Sequence, residues 1–191
     1  MKKNLLTAIS FTAVTTIVFG LIYPLAATAL AQLFFRDRAN GQLLHKNGHV
    51  IGSRIIGQCF AGPRYFHSRP SAAGAGYDAT ASGGSNLAPT NKLLLERVKA
   101  DVTAAQQENP SVPVPIDLVT TSASGLDPDI SPASAEFQIP RVARERSLPE
   151  TQVRNLVRKR TQSRQWGFLG EPRINVLELN LELDAFATSN R

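Results

Sequence analysis

The glycine-serine run Ser82-Gly83-Gly84-Ser85-Asn86 is the segment of this chain best suited to hold a ligand. Such a loop presents backbone N–H groups. A helix starting just beyond it would add the positive end of its dipole, so the loop is expected to bind an anion or a nucleotide phosphate. The lysine-hydroxyl pair that completes a phosphate-binding P-loop is missing, so that motif is excluded. The plainer alternative is a shaped turn. Ser122-Ala123-Ser124-Gly125, followed by Asp127 and Asp129, suggests a hydrolase using Ser122 or Ser124 as nucleophile. Neither serine sits in Gly-x-Ser-x-Gly or Ser-x-x-Lys, so catalysis is the secondary reading. Cys59 is the single cysteine, which excludes an intramolecular disulfide and a cysteine-based zinc site. It is expected to be a small buried hydrophobe, with His67 the nearest potential partner for a thiolate. His45 and His49 are spaced for a metal on a helix, but they flank Asn47-Gly48, the strongest short hairpin signal. Side chains alternate faces along a strand, so the two imidazoles point apart and no metal site is expected.

These candidates need elements to position them. The hairpin spans the runs around residues 42–46 and 49–52. Residues 73–89 are rich in glycine, serine and alanine; Tyr77, Asn86 and Leu87 punctuate them, which suits an ordered functional loop better than a flexible linker. A helix is predicted over about 90–107, with Leu94, Val98, Val102 and Ala105 on one face and Ser85, Asn86 or Thr90 as its cap. Asn109-Pro110 ends it, and Pro110, Pro113 and Pro115 stiffen the connector. Residues 116–120 read as a short strand. Ser131-Pro132 opens a further helix, which Pro140 is expected to break in two. Ser147-Leu148-Pro149-Glu150 has capping-box spacing and opens a helix to about residue 162. The strict alternation of residues 177–183 reads as a half-buried strand, against the helix preference of leucine and glutamate.

Composition bounds the partners. The chain carries +6, and the two lysines ahead of the apolar run leave +4 on the rest. There is no lysine block, and aromatics are sparse among the arginines of residues 141–164, so nucleic acid is not an expected partner. Anionic lipid or an acidic protein face fits better. Residues 5–35 contain no charged side chain and are bounded by Lys2, Lys3, Arg36 and Arg38. About 20 apolar residues cross a bilayer, so this run is long enough to span. Ala29-Leu30-Ala31 has the form of a signal-peptidase site, but the run is about twice the length of a signal core, which favours a retained anchor. The expected fold is α+β: a membrane anchor over 1–35, then one mixed α/β extracytoplasmic domain over 36–191. Tyr23-Pro24 should kink the anchor. Gly20 and neighbouring small or hydroxyl residues suit close packing, so Gly20, Tyr23 and Pro24 are expected at partner helices. The lysine-bearing tail favours a cytoplasmic N-terminus.

Taken together, these motifs resemble the C-subunit family of the Kdp potassium-transporting ATPases. The resemblance rests on Leu21-Ile22-Tyr23-Pro24-Leu25, Ile55-Ile56-Gly57-Gln58, Tyr65-Phe66-His67-Ser68-Arg69-Pro70-Ser71, Ser82-Gly83-Gly84-Ser85-Asn86-Leu87, Pro89-Thr90-Asn91, Asp117-Leu118-Val119-Thr120, Ser122-Ala123-Ser124-Gly125-Leu126-Asp127-Pro128 and Asn175-Val176-Leu177-Glu178-Leu179-Asn180. They run in order along nearly the whole chain. Ala88, where the family usually has glycine, and Pro140 before Arg141 depart from its pattern. The resemblance implies a non-catalytic subunit of a bacterial inner-membrane potassium uptake complex. Its partners would be a channel-like A subunit, a B subunit that hydrolyses ATP through an aspartyl phosphate, a small F peptide and membrane lipid. It implies no cofactor of its own, and a role as catalytic chaperone raising the ATP affinity of the B subunit. A domain outside the membrane cannot touch cytoplasmic ATP, so that effect would have to travel through the membrane subunits.

Overall fold

The computed structural model describes residues 2–189, and their side chains through residue 186. The chain divides into two compact units, residues 1–51 and 52–191.

The first unit is dominated by one helix, α1, Lys2–Phe34. At about 1.5 Å per residue it is roughly 50 Å long, more than the roughly 30 Å hydrocarbon core of a bilayer. None of its residues is buried, so its whole apolar surface awaits lipid or other helices. The expected disturbance at Pro24 takes the form of a π-turn over Val18–Ile22, where the Tyr23 N–H donates to the Val18 carbonyl five residues back. Pro24 has no N–H and its ring crowds the carbonyl of Gly20. The wider turn absorbs that conflict without ending the helix. Thr7 and Thr15 donate their hydroxyls back to the Lys3 and Phe11 carbonyls, so these two are satisfied within the helix. A short turn, α2 (Arg36–Ala39), leads to the hairpin β1 (Leu43–Lys46) and β2 (His49–Ser53). Asn47 and Gly48 both take positive φ, as the two-residue turn requires.

The second unit is mixed helix and strand. Its helices are α3 (Lys92–Glu108), α4 (Pro132–Arg146), α5 (Glu150–Arg160) and α6 (Val176–Ser189). Two-residue strands β3 (Asp129–Ile130) and β4 (Ile174–Asn175) pair antiparallel, Ile130 opposite Ile174. The core joins α4, α5 and α6 through Ile139, Val142, Val153, Val157, Leu179 and Leu183, with Phe66 from a loop at its centre.

Several sequence expectations are corrected here. Residues 177–183 are helix, not strand. The buried positions Val176, Leu179, Asn180 and Leu183 follow i, i+3, i+4, i+7. A buried asparagine occupies one core position, so the leucines alone mimic alternation. Pro140 does not break α4, which runs unbroken from Pro132 to Arg146. One missing hydrogen bond is outweighed by a face that buries Phe137, Ile139, Val142 and Ala143. Residues 116–118 form a 3₁₀ turn. The cap of α3 is Asn91, whose side chain accepts from the Leu93 N–H, not Ser85, Asn86 or Thr90. Ser147 does not cap α5; it closes α4 in a left-handed conformation. Ser131 does cap α4, accepting from the Ser134 N–H at 3.1 Å.

Phe66 and His67 lie in irregular chain at the core, where no strand supplies backbone partners. Side-chain amides supply them instead. Asn180 accepts from the Phe66 N–H at 2.9 Å and donates to its carbonyl at 2.9 Å. Gln138 accepts from the His67 N–H at 2.7 Å and donates to its carbonyl at 3.1 Å. Arg141 donates to the Pro63 and Tyr65 carbonyls and to Gln138, and pairs with Glu108 at 2.8 Å. Removing one amide leaves two buried backbone groups unpaired, at about 1–3 kcal/mol each. Asn180→Leu, similar in size, should therefore cost roughly 2–5 kcal/mol. At roughly 2–4 °C per kcal/mol, a thermal melt of the full chain in detergent should fall well below wild type. An unchanged melt would show that the amide pins are dispensable.

Candidate functional site

Of the segments singled out for chemistry, the glycine-serine run and the 122–125 loop come together in the second unit as stitched loops, whereas His45 and His49 stand on β1 and β2 of the first unit. Ser71 donates to the Gly125 carbonyl at 2.6 Å and accepts from the Tyr77 N–H at 2.8 Å. The Tyr77 hydroxyl donates to the Arg69 carbonyl at 2.5 Å. Burial first, and then the thiol of Cys59, push that hydroxyl up to about 12. Ser82 and the Gly83 N–H both donate to the Ser124 carbonyl, at 3.0 and 2.8 Å. Residues 73–89 are thus tied down at several points rather than strung as a free linker.

This geometry defines what each predicted residue does. Ser82 and Gly83 hold the 122–125 loop, and Gly84 packs on the Ala123 carbonyl. Ser85 is half-buried, and Asn86 takes a positive φ. The Gly83 amide is already engaged. The run also stops short of α3, which begins at Lys92, so the helix dipole anticipated for this loop is not at its end. Ser122 is buried, with its hydroxyl 3.5 Å from that of Ser124, and Ser124 accepts from the Leu126 N–H at 3.1 Å. Among the described residues neither hydroxyl has an imidazole, amine or carboxylate hydrogen-bond partner, so the hydrolase reading finds no base here. Cys59 is exposed, against the expectation of burial. His67 spends its Nε2 on the Gly62 carbonyl at 3.1 Å. Burial, then the Arg141 guanidinium, hold its pKa below the ordinary value, so it is neutral near pH 7. Among the described residues no group of three or more His, Cys, Asp or Glu converges as a metal cage.

What composition and motif reading did not find is a charged cleft of about 500 Å³ beside the stitched loops. Arg69 and Asp127, 3.1 Å apart, line it, as do Asp129 and Arg173, also 3.1 Å apart. Asp117 reaches it from the 3₁₀ turn, its carboxylate accepting from the Ser131 N–H at 2.8 Å and from the hydroxyls of Ser131 and Ser134. That carboxylate therefore secures the start of α4, where the dipole favours negative charge. Burial raises the pKa of Asp129 despite Arg173, and neighbouring Asp127 adds to the rise. The only sequence signal for the cleft was Asp127-Pro128-Asp129, which reads equally as turn chemistry.

Gly125 is where the loops cannot accept a side chain. Its φ is +67°, and a Cβ there would lie 2.7 Å from both the Ala73 nitrogen and the Gly83 carbonyl oxygen. Gly83 has open space around its own Cβ position. Gly125→Ala should cost at least ~1–2 kcal/mol from the left-handed backbone alone, and should open residues 73–89 to limited proteolysis. Gly83→Ala should leave both melt and cleavage pattern unchanged. Equal behaviour of the two variants would refute the stitching role.

Known proteins place this architecture. Residues 5–185 match the family described as KdpC, the c chain of K⁺-transporting ATPase. A "Potassium-transporting ATPase KdpC subunit" of Koribacter versatilis is 65% identical over 184 residues, covering 96% of this chain and 95% of the relative. Proteins of the same name from Acidobacterium capsulatum and Caulobacter vibrioides are 56% and 54% identical, over 95% and 97% of this chain and 98% and 94% of theirs. Matched along nearly its entire length, from residue 5 of α1 through the stitched loops to residue 185 of α6, the chain belongs to the KdpC family of potassium-transporting ATPase subunits.

Proposed function

We propose that this chain is a non-catalytic subunit of an ATP-driven potassium uptake complex in a bacterial inner membrane. It stabilises the assembly of the channel-like A subunit, the ATP-hydrolysing B subunit and the small F peptide. It also raises the ATP affinity of the B subunit as a catalytic chaperone. The observation that carries the assembly role is α1, a helix without one buried residue in an otherwise folded chain. Its N-terminus is cytoplasmic and its domain periplasmic, on the strength of Lys2 and Lys3. ATP affinity is then coupled through the membrane subunits, with a coupling energy of typically about 1–3 kcal/mol. The loop of Ser82, Gly83, Gly84, Ser85 and Asn86 acts as a brace rather than a nucleotide cradle. The Gly83 amide donating to Ser124 supports that assignment.

Gly20, Tyr23 and Pro24 form the helix-packing face. Within the chain a Cβ at Gly20 meets only the Thr16 methyl at 3.8 Å, an ordinary contact. Any loss on enlarging Gly20 therefore reports on another helix. Gly20→Leu should lower co-purification with the A and B subunits and slow growth at limiting potassium, with the melt of the second unit unchanged. Intact assembly would move the contact to residues 36–191.

Topology has its own test. Ser111 is exposed in the proline connector after α3 and takes part in none of the hydrogen bonds or ion pairs described. In a Cys59→Ala background, Ser111→Cys should react with a membrane-impermeant maleimide added to intact spheroplasts. Labelling only after lysis would put the domain inside and make direct contact with nucleotide possible again.

A further inference from the structure

Between α5 and β4 the chain forms a narrow finger. Its legs are pinned by antiparallel bridges, Gln162 with Arg173 and Gln165 with Leu169, each through two backbone hydrogen bonds of 2.8–3.0 Å. An ion pair of Arg164 with Glu171, 2.6 Å, joins them again. The turn holds Trp166 and Gly167 at φ of 52° and 83°. A left-handed tryptophan is uncommon. Here it turns the largest side chain of the protein out of the fold. Trp166 is 84% exposed, Phe168 69% and Leu169 42%. The two rings lie against each other with centroids 6.5 Å apart. None of these residues contributes to the core, so burial within the unit does not explain their type.

One exposed cation stands beside the tip. The last turn of α5 carries Arg158, Lys159 and Arg160 immediately before the finger; Lys159 and Arg160 are ion-paired with Glu182 of α6, whereas Arg158 makes no ion pair among the described residues. Arg158 is exposed, and Arg164 stands on the finger itself. The one acid of the finger, Glu171, is matched by Arg164. A compact aromatic point beside the exposed cation of Arg158 matches a layered surface, anionic outside and apolar beneath. That is the order of headgroup and acyl boundary in a bilayer with anionic lipid.

We propose that the Trp166–Leu169 tip inserts into the interface of the membrane to which α1 anchors the chain, with Arg158 facing anionic headgroups. Three apolar side chains would hold a free protein only weakly. Tethering changes this, because insertion then becomes an intramolecular step at high effective concentration. The 17 residues of 35–51 could span at most about 60 Å if extended, so the bilayer surface is never far away. The inference holds for either face of the membrane and is independent of the subunit's role in ATP binding.

Trp166 is the only tryptophan, so its emission reports the tip alone in the full chain reconstituted into vesicles. With phosphatidylglycerol in the vesicles, its emission should shift to the blue relative to urea-unfolded chain. It should lose most of its intensity when the acyl chains are brominated near the headgroup, and aqueous iodide should quench it little. Purely phosphatidylcholine vesicles, or Arg158→Glu, should weaken the bromine quenching. Emission that stays red and is quenched by iodide, whatever the lipid, would overturn the proposal. In the assembled complex, a nitroxide on Phe168→Cys in the Cys59→Ala chain should be relaxed by oxygen rather than by a water-soluble nickel chelate. Protection from both would mean that the tip is seated on a partner subunit, and would equally overturn it.

Discussion

Four hydrogen bonds from two side-chain amides hold the second unit together at its least regular point. Phe66 fills the core from a stretch with no strand beside it. Its backbone groups and those of His67 would be unpaired in an apolar interior without Asn180 and Gln138. Each amide presents one acceptor and one donor, as a neighbouring strand would. The loop thereby gains the backbone satisfaction of a sheet while remaining free to turn sharply on both sides. Arg141 extends the pattern by bonding two further carbonyls and steadying Gln138. The buried guanidinium is itself matched by Glu108, so the network is charged, paired and hydrogen-bonded throughout.

From that pinned segment the stitched loops follow. Residues 68–72 leave the core directly after His67, and Arg69 and Ser71 then bind Asp127 and Gly125. Glycine at 125 allows three strands of loop to meet at backbone distance. The cleft lined by Arg69, Asp127, Asp129 and Arg173 lies where β3 and β4 end, so its ion pairs inherit the alignment of that small ladder. A surface made this way is rigid without being regular.

The first unit obeys a different constraint. In hydrocarbon every backbone group must be satisfied within the segment. Proline at 24 threatens this, and the π-turn at Val18–Ile22 is the local answer. It widens the helix next to Gly20, where the surface is also at its smallest. The same sequence feature thus serves backbone satisfaction and leaves a place for close approach by another helix.

Much of this was legible in the sequence because it rests on local chemistry. An uncharged run of sufficient length can only be a long apolar helix or a cleaved leader. Asn47-Gly48 dictates a hairpin through its positive φ values. Ser131-Pro132 starts a helix by capping and by a preset φ. The motif series from residue 21 to residue 180 gave the family outright. What the sequence could not decide were features set by distant partners. Residues 177–183 alternate perfectly, yet they form a helix, because a buried Asn180 serves Phe66 over a hundred residues away and so hides one position of the helical stripe. Pro140 sits mid-helix because its neighbours bury too much surface to let the turn open. Cys59 is exposed, and Ser82 and Gly83 bond to the Ser124 carbonyl, while the run as a whole stops short of the next helix. In both, the outcome depends on which backbone groups lie opposite, and only the tertiary fold brings those groups together.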